Sequence, residues 1–287
     1  RVLKPGGYLL AFGGSRTYHR LAVAIEDSGF LIVDQIMWLY STGFPKSYNI
    51  SEAFKKKKML DESEEWKGWG TALKPAHEPI VMAKKSLEGT YIENISKYRV
   101  GGLNVKDSLV SYNGETPNIG GRAKHGRGDG YGFKPQGDTA KANEKGRHPA
   151  NVIHDGSDEV VNLFPKTSNG KSASRFYYVP KPTVKEKEEG LSGPEKTLNR
   201  VNSGGLENEK RFAPVQRKNN HETVKPIALM EYLIKLVCPS GGIVLDPFMG
   251  SGTTGVAALK NNYSFIGIEL KKEYYEISKE RCEHAHK

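Results

Sequence analysis

The sequence predicts a layered α/β protein, and three observations lead there. Short apolar runs rich in β-branched and aromatic residues alternate with helical periodicity at both ends of the chain. Residues 243–269 read as a complete βαβ unit whose first turn is rich in glycine. Between the two ends lies a long section with many glycines and basic residues and few aliphatics, the pattern of an insertion rather than a core.

The elements follow in order. Lys4-Pro5-Gly6-Gly7 stops any preceding helix, since proline and paired glycines do not continue one. Residues 8–12 (YLLAF) form a short apolar strand bounded by Gly13-Gly14. A helix over 16–29 puts Leu21, Ala24, Ile25 and Ser28 on one face and ends at Gly29. Residues 30–40 (FLIVDQIMWLY) are a longer strand. After a turn at 43–47, Ser51 is the expected cap of a helix running through Lys55–Lys58, with Glu52 in its first turn. Residues 78–84 (EPIVMAK) make a third strand.

From about Ser86 the character changes: the 112–148 stretch holds seven Lys/Arg and cannot pack a core by itself. Order returns at 149–165 and 174–179, and 180–218 reads as polar loop. Helical periodicity resumes over 220–236, where Ile227, Met230, Leu233, Ile234 and Val237 share a face after Pro226. The strand 243–245, a glycine loop, the helix 253–260 and the strand 264–268, ending at Glu269, complete the chain's βαβ unit.

With 37% apolar and 26% charged residues, the 287-residue chain can bury a core, while 32 glycines and 15 prolines require long loops. The net charge of +10 points to a polyanionic partner, and its distribution is uneven. Lys+Arg exceed Asp+Glu by 13 to 9 in residues 1–86 and by 22 to 16 in 87–218, but 219–287 has 8 of each. A nucleic-acid face is therefore expected on the first two sections. Cys238 and Cys282 lack metal-type spacing and read as reduced thiols. No apolar run approaches a membrane span, and a cytoplasmic protein is expected.

Chemistry concentrates in residues 244–255 (VLDPFMGSGTTG). Glycines let a backbone approach a ligand closely, and the N-terminus of the following helix favours negative charge. Glu269 stands at the tip of the next strand, where such folds place an acid on two ribose hydroxyls. A nicotinamide dinucleotide would fit that outline too. Gly250, Gly252 and Gly255 match G-x-G-x-x-G, but the loop departs from the usual dinucleotide form because Asp246-Pro247-Phe248 precedes it and Thr253-Thr254 fill the last two variable positions.

This departure resembles the S-adenosylmethionine motif of the N6-adenine/N4-cytosine DNA methyltransferases, bacterial or phage type. Residues 221–226 (HETVKP) look like that family's H-P-T-x-K-P segment, with Glu222 in place of proline. The segments 1–14, 16–47, 70–84, 151–158, 174–178, 265–270 and 272–281 also resemble it, so the likeness covers nearly the whole chain. It implies a Rossmann-like fold in three αβα layers with a mostly parallel sheet and a large irregular insertion. It implies S-adenosylmethionine as cofactor, held by Asp246, Pro247, Phe248, Gly250, Ser251, Gly252, Thr253, Thr254 and Glu269, with Thr223, Lys225 and Pro226. Residues 1–86 would be the base-binding half, 87–218 the target-recognition insertion and 219–287 the cofactor half. Duplex DNA is the implied partner, with a cognate restriction endonuclease as a further one. Lys55, Lys56, Lys57, Lys58, Arg122, Lys124 and Arg127 are the candidate DNA contacts.

Members of that family flip the target base and bind its exocyclic amine in an (Asp/Asn/Ser)-Pro-Pro-(Tyr/Trp) motif. Pro-Pro occurs nowhere in these residues, and in this motif order it would fall before Arg1. The expectation is an N-terminally truncated methyltransferase that is inactive as it stands; a non-catalytic DNA- and cofactor-binding module is the alternative. No transfer-step residue is assigned.

Other polar residues carry weaker claims. Asp34 reads as a salt-bridging strand residue, and His148, His154 and Asp155 as loop caps rather than a metal cluster, so no metal is expected. Lys55–Lys58 fits a solvated helix face as well as a phosphate contact. Tyr177 and Tyr178 fit a core or strand face better than a base stack, while Trp66 and Trp69 line a cleft or close a small core.

Overall fold

The computed structural model describes residues 2–43, 47–112, 146–166, 174, 176–198 and 214–286. In chain order the elements are β1 (Tyr8–Phe12), α1 (Tyr18–Asp27), β2 (Phe30–Leu39), α2 (Ile50–Lys56), α3 (Leu60–Glu65), β3 (His77–Lys85) and α4 (Tyr91–Tyr98). A 3-10 turn at Lys106–Ser108 precedes β4 (Val152–His154), α5 (Asp158–Val161), β5 (Tyr177–Tyr178), α6 (Val184–Glu188), β6 (Lys196–Leu198) and β7 (Val215–Arg217). The last section holds α7 (Ile227–Val237), β8 (Ile243–Asp246), α8 (Thr253–Lys260), β9 (Ser264–Gly267) and α9 (Lys272–Ala285).

A five-stranded sheet runs in the order β1-β3-β2-β4-β5. β3 lies antiparallel to both neighbours, whereas β2, β4 and β5 pair in parallel, as do β8 and β9 in a separate two-stranded sheet. Side-chain alternation along β3 sets the layers. Ile80 and Met82 join Ile36, Trp38 and the α7 residues Leu229, Tyr232, Leu233 and Leu236 on one face. Val81 and Ala83 pack with Ile25 of α1 on the other. The sheet is thus covered on both sides, the expected αβα layering.

α7 is apolar nearly all round, as a helix buried on two sides must be. Its second face, Ile227 and Ile234, meets Val256, Ala257 and Ala258 of α8 and Tyr263. One helix therefore joins the larger sheet to the βαβ unit, and its N-terminus lies where the two parts meet.

Three elements differ from the sequence expectation. The cap of α2 is Asn49, whose side chain accepts from Glu52 N, while Ser51 is buried and hydrogen-bonds Ser63 at 3.0 Å between hydroxyls. Ser51 was the better-looking cap by position, but its hydroxyl finds a buried partner twelve residues on. α4, with a full capping box from Thr90 and Glu93, escaped the reading although its T-x-x-E signature is in the sequence. The 180–218 section contains α6 and the antiparallel β6–β7 pair rather than loop throughout. These elements are short and polar, so periodicity could not reveal them.

Candidate cofactor site

β8 delivers Asp246 to the start of the glycine loop, and the carboxylate organises it. Oδ1 accepts from Phe248 N at 3.0 Å, and Oδ2 accepts from the Thr254 hydroxyl at 2.5 Å. Glu269, just beyond β9, accepts from Gly250 N at 3.0 Å through Oε2 and from Lys271 N at 2.9 Å through Oε1. The two strand ends are also stitched by Ile268 N to Asp246 O and Met249 N to Ile268 O. Both acids therefore sit at carboxyl ends of adjacent parallel strands, the edge where open α/β sheets bind ligands. Phe248 is 87% exposed and Leu270 is 98% exposed, leaving apolar surface beside the loop.

The remaining loop residues face inward. Ser251 and Thr253 are buried, and their hydroxyls lie 3.3 Å from Arg281 Nη1, which also donates to Ser251 O at 2.6 Å. Gly252 initiates α8 with φ +79° and lies against Ser278 of α9. Ser251, Gly252 and Thr253 thus shape the loop from beneath, whereas Phe248 and the half-buried Glu269 border its open side.

The 221–226 segment approaches from the N-terminus of α7. The His221 ring lies against Gly250 and edge-on to Tyr274, with ring centroids 4.6 Å apart. Burial pushes the His221 imidazole below its ordinary range, although the Glu269 charge pulls the other way. Lys225 turns towards the large sheet: Nζ pairs with Glu78 at 3.0 Å, lies 5.0 Å from the Phe12 ring centroid and donates to Thr223 O at 3.3 Å. Pro226 is buried as the residue before α7. The structure thus brings His221 to the glycine loop and Lys225 to the other sheet's edge; Glu222 is exposed.

Other sequence candidates fall elsewhere. Asp34 lies at a strand irregularity and, among the described residues, accepts from Asn151 Nδ2 at 3.1 Å and forms no salt bridge, contrary to the expectation. His154 is buried; its Nδ1 accepts from Gly156 N at 3.0 Å, which leaves Nε2–H to face the Ser174 hydroxyl. That tautomer makes His154 a donor to Ser174, not a base for it. Asp155 caps its own loop through Ser157 and ties Ser41 N at 3.0 Å. Among the described residues no acid, histidine and cysteine group could hold a metal ion. Tyr177 stacks on Tyr232 at 4.1 Å, and burial pushes the Tyr232 hydroxyl up to about 12. Trp66 and Trp69 meet edge-on at 5.1 Å, with Trp69 exposed. Lys55–Lys58 are exposed, Lys55 pairing with Glu52 at 2.8 Å; Arg122, Lys124 and Arg127 lie outside the described residues.

Sequence reasoning missed the undersides of the site: Arg281, Ser278, Glu186 and Glu78. Arg281 was visible only as part of a helix, and a buried arginine has no signature of its own. No described helix is long and apolar enough to cross a membrane.

A family model described as DNA methylase matches residues 1–280. The type II methyltransferase M.HindIII of Haemophilus influenzae is 26% identical over 284 residues, 98% of this chain and 64% of that protein. The chain therefore spans less than two thirds of that relative's length. M.BglI of Bacillus subtilis is 48% identical over 73 residues, 25% of this chain and 21% of that protein. Among solved structures, the cytosine-N4-specific PvuII DNA methyltransferase shares 14% identity at a TM-score of 0.47, covering 97% of this chain and 64% of that one. The M1.HpyAVI–SAM complex shares 21% at 0.43, covering 98% and 76%. By the match of the family model along nearly its whole length, this chain belongs to the N6/N4 DNA methylase family.

Proposed function

We propose that this chain binds S-adenosylmethionine at the glycine loop and serves site-specific methyl transfer to the exocyclic amine of adenine or cytosine in duplex DNA. The single observation that carries the reading is the paired strand end: Asp246 fixing the loop, and Glu269 at the tip of the adjacent parallel strand beside exposed Phe248. Glu269 would take the ribose hydroxyls and Phe248 or Leu270 a face of the adenine, while His221 closes the loop's far side. The 1–86 section would hold the base-binding half, and the recognition loops would come from the insertion. Transfer by this class of enzyme is an in-line displacement: the amine attacks the sulfonium methyl, its N–H proton leaves to solvent, and S-adenosylhomocysteine departs. The excess of positive charge in residues 1–218 and its absence from 219–287 support DNA contact on the first two sections.

Calorimetric titration tests the cofactor assignment. The expected result is one S-adenosylhomocysteine bound per chain and NADH bound more weakly or not at all. Tighter binding of NADH would overturn it.

A further inference from the structure

Helix α6 reaches the cofactor half from the middle of the chain; it is tied to the 221–226 segment at both of that segment's ends and to the glycine loop through Arg281. Glu186 Oε1 accepts from Ile227 N at 2.6 Å, which caps the N-terminus of α7 immediately after the 221–226 segment. Lys187 O accepts from the buried Asn219, whose Oδ1 accepts in turn from His221 N at 3.1 Å. Glu188 Oε1 accepts from Lys218 N at 3.2 Å. On the other side, Arg281 connects α6 to the glycine loop. Its Nη1 holds Ser251 O, and its Nη2 donates to Glu186 O at 3.4 Å.

Arg281 is the most telling of these residues. It is 2% exposed, and among the described residues it forms no ion pair; every hydrogen bond it makes goes to a carbonyl or hydroxyl oxygen. Burying a guanidinium without a carboxylate in direct contact is costly; the charges of Glu186 and Glu189 ease that cost from a distance, and the four oriented acceptors offset the rest only if they stay in place. Three of the four belong to Ser251 and Thr253, so the guanidinium fixes the loop's curvature from below. Ser278 and Cys282, on the same helix, complete the bed: Cys282 Sγ lies 3.8 Å from Gly252 O.

We propose that α6 belongs to the cofactor-binding machinery, with Glu186 and Arg281 as positioning residues that set the 221–226 segment and the glycine loop relative to each other. This rests on the cofactor reading above and extends it to a segment that the chain order groups with the insertion. A ligand clasped between two loops binds well only when both are held to within about half an ångström. Anything that displaces α6 would then reach the cofactor through both loops.

The test uses the whole chain with Glu186→Ala, Arg281→Lys and Arg281→Met, following S-adenosylhomocysteine by calorimetry, a random-sequence DNA duplex by fluorescence anisotropy, and thermal unfolding. About a tenfold loss of S-adenosylhomocysteine affinity is expected for Glu186→Ala and Arg281→Met, a smaller one for Arg281→Lys, and DNA affinity within about twofold of the parent. If Arg281→Met fails to fold, Glu186→Ala carries the test, because its side chain is only partly buried. A lower unfolding temperature with unchanged S-adenosylhomocysteine affinity would reduce α6 to a structural strut and overturn the proposal. Loss of DNA affinity with cofactor affinity intact would overturn it in favour of target recognition. Failure of the unsubstituted chain to bind S-adenosylhomocysteine would overturn the cofactor reading itself, and that result precedes any substitution.

Discussion

Gly252→Ala probes the loop at the point where its shape is most constrained. The residue has φ +79°, and an added Cβ would lie 2.7 Å from Ser278 Cβ, 2.9 Å from Ser278 Cα and 3.1 Å from Ser278 O. The left-handed conformation costs an alanine about 1–2 kcal/mol. The clash adds about 1–3 kcal/mol, since two of its three neighbours are helix backbone and no rotamer change relieves them. Reduced freedom of the unfolded chain returns about 0.4–1 kcal/mol. The net expectation is a loss of about 1–4.5 kcal/mol, together with weaker S-adenosylhomocysteine binding. Gly241→Ala is the control. Its φ is +72°, but nothing lies within 4 Å of the added Cβ, so only the conformational part applies, about 0–1.5 kcal/mol. Urea unfolding with an unchanged slope measures both. A Gly252→Ala chain no less stable than Gly241→Ala would refute the close packing of the loop on α9.

Further expectations follow from other parts of the molecule. Glu269→Ala removes the acceptor for Gly250 N and Lys271 N and should weaken S-adenosylhomocysteine binding by about 1.5–3 kcal/mol, about 10- to 150-fold by calorimetry; unchanged affinity would misplace the ligand. Leu229→Ala, at a fully buried position between α7 and the large sheet, should cost about 2–5 kcal/mol in urea unfolding. Lys225→Met strands the Glu78 carboxylate and should cost about 1–3 kcal/mol, between the values for exposed and fully buried pairs. Burial holds the His154 pKa below its ordinary 6.5, so the unfolded chain takes up the proton first. Stability is accordingly full above about pH 6.5 and falls as pH drops from there towards the depressed folded value. His154→Gln should flatten that part of a pH-dependent unfolding curve.

The βαβ unit was the most legible part of the molecule: α8 runs over the expected 253–260 because a glycine loop and a small-residue helix leave little ambiguity. The three strands of the first section were equally clear from their apolar residues, although only β3 is buried on both faces, and Leu31, Ile32 and Val33 of β2 are exposed. What the sequence concealed was who supports whom. Arg281 reaches back thirty residues to Ser251, and Glu186 reaches forward forty-one to Ile227; such pairings obey no local period. Ser51 shows the opposite limit, a well-placed cap residue drawn into a buried contact while Asn49 capped instead. The antiparallel β3 was unreadable for a related reason: a strand buried on both faces shows the same apolar run whichever way it points.

Methyl transfer itself is the most direct measurement. The protein expressed from its complete open reading frame, given tritiated S-adenosylmethionine and duplex DNA, should incorporate label, and nucleoside mass spectrometry should identify N6-methyladenine or N4-methylcytosine. Incorporation should fall with Glu269→Ala. Label appearing on a ring carbon, or no label on any DNA while S-adenosylhomocysteine still binds, would contradict the account.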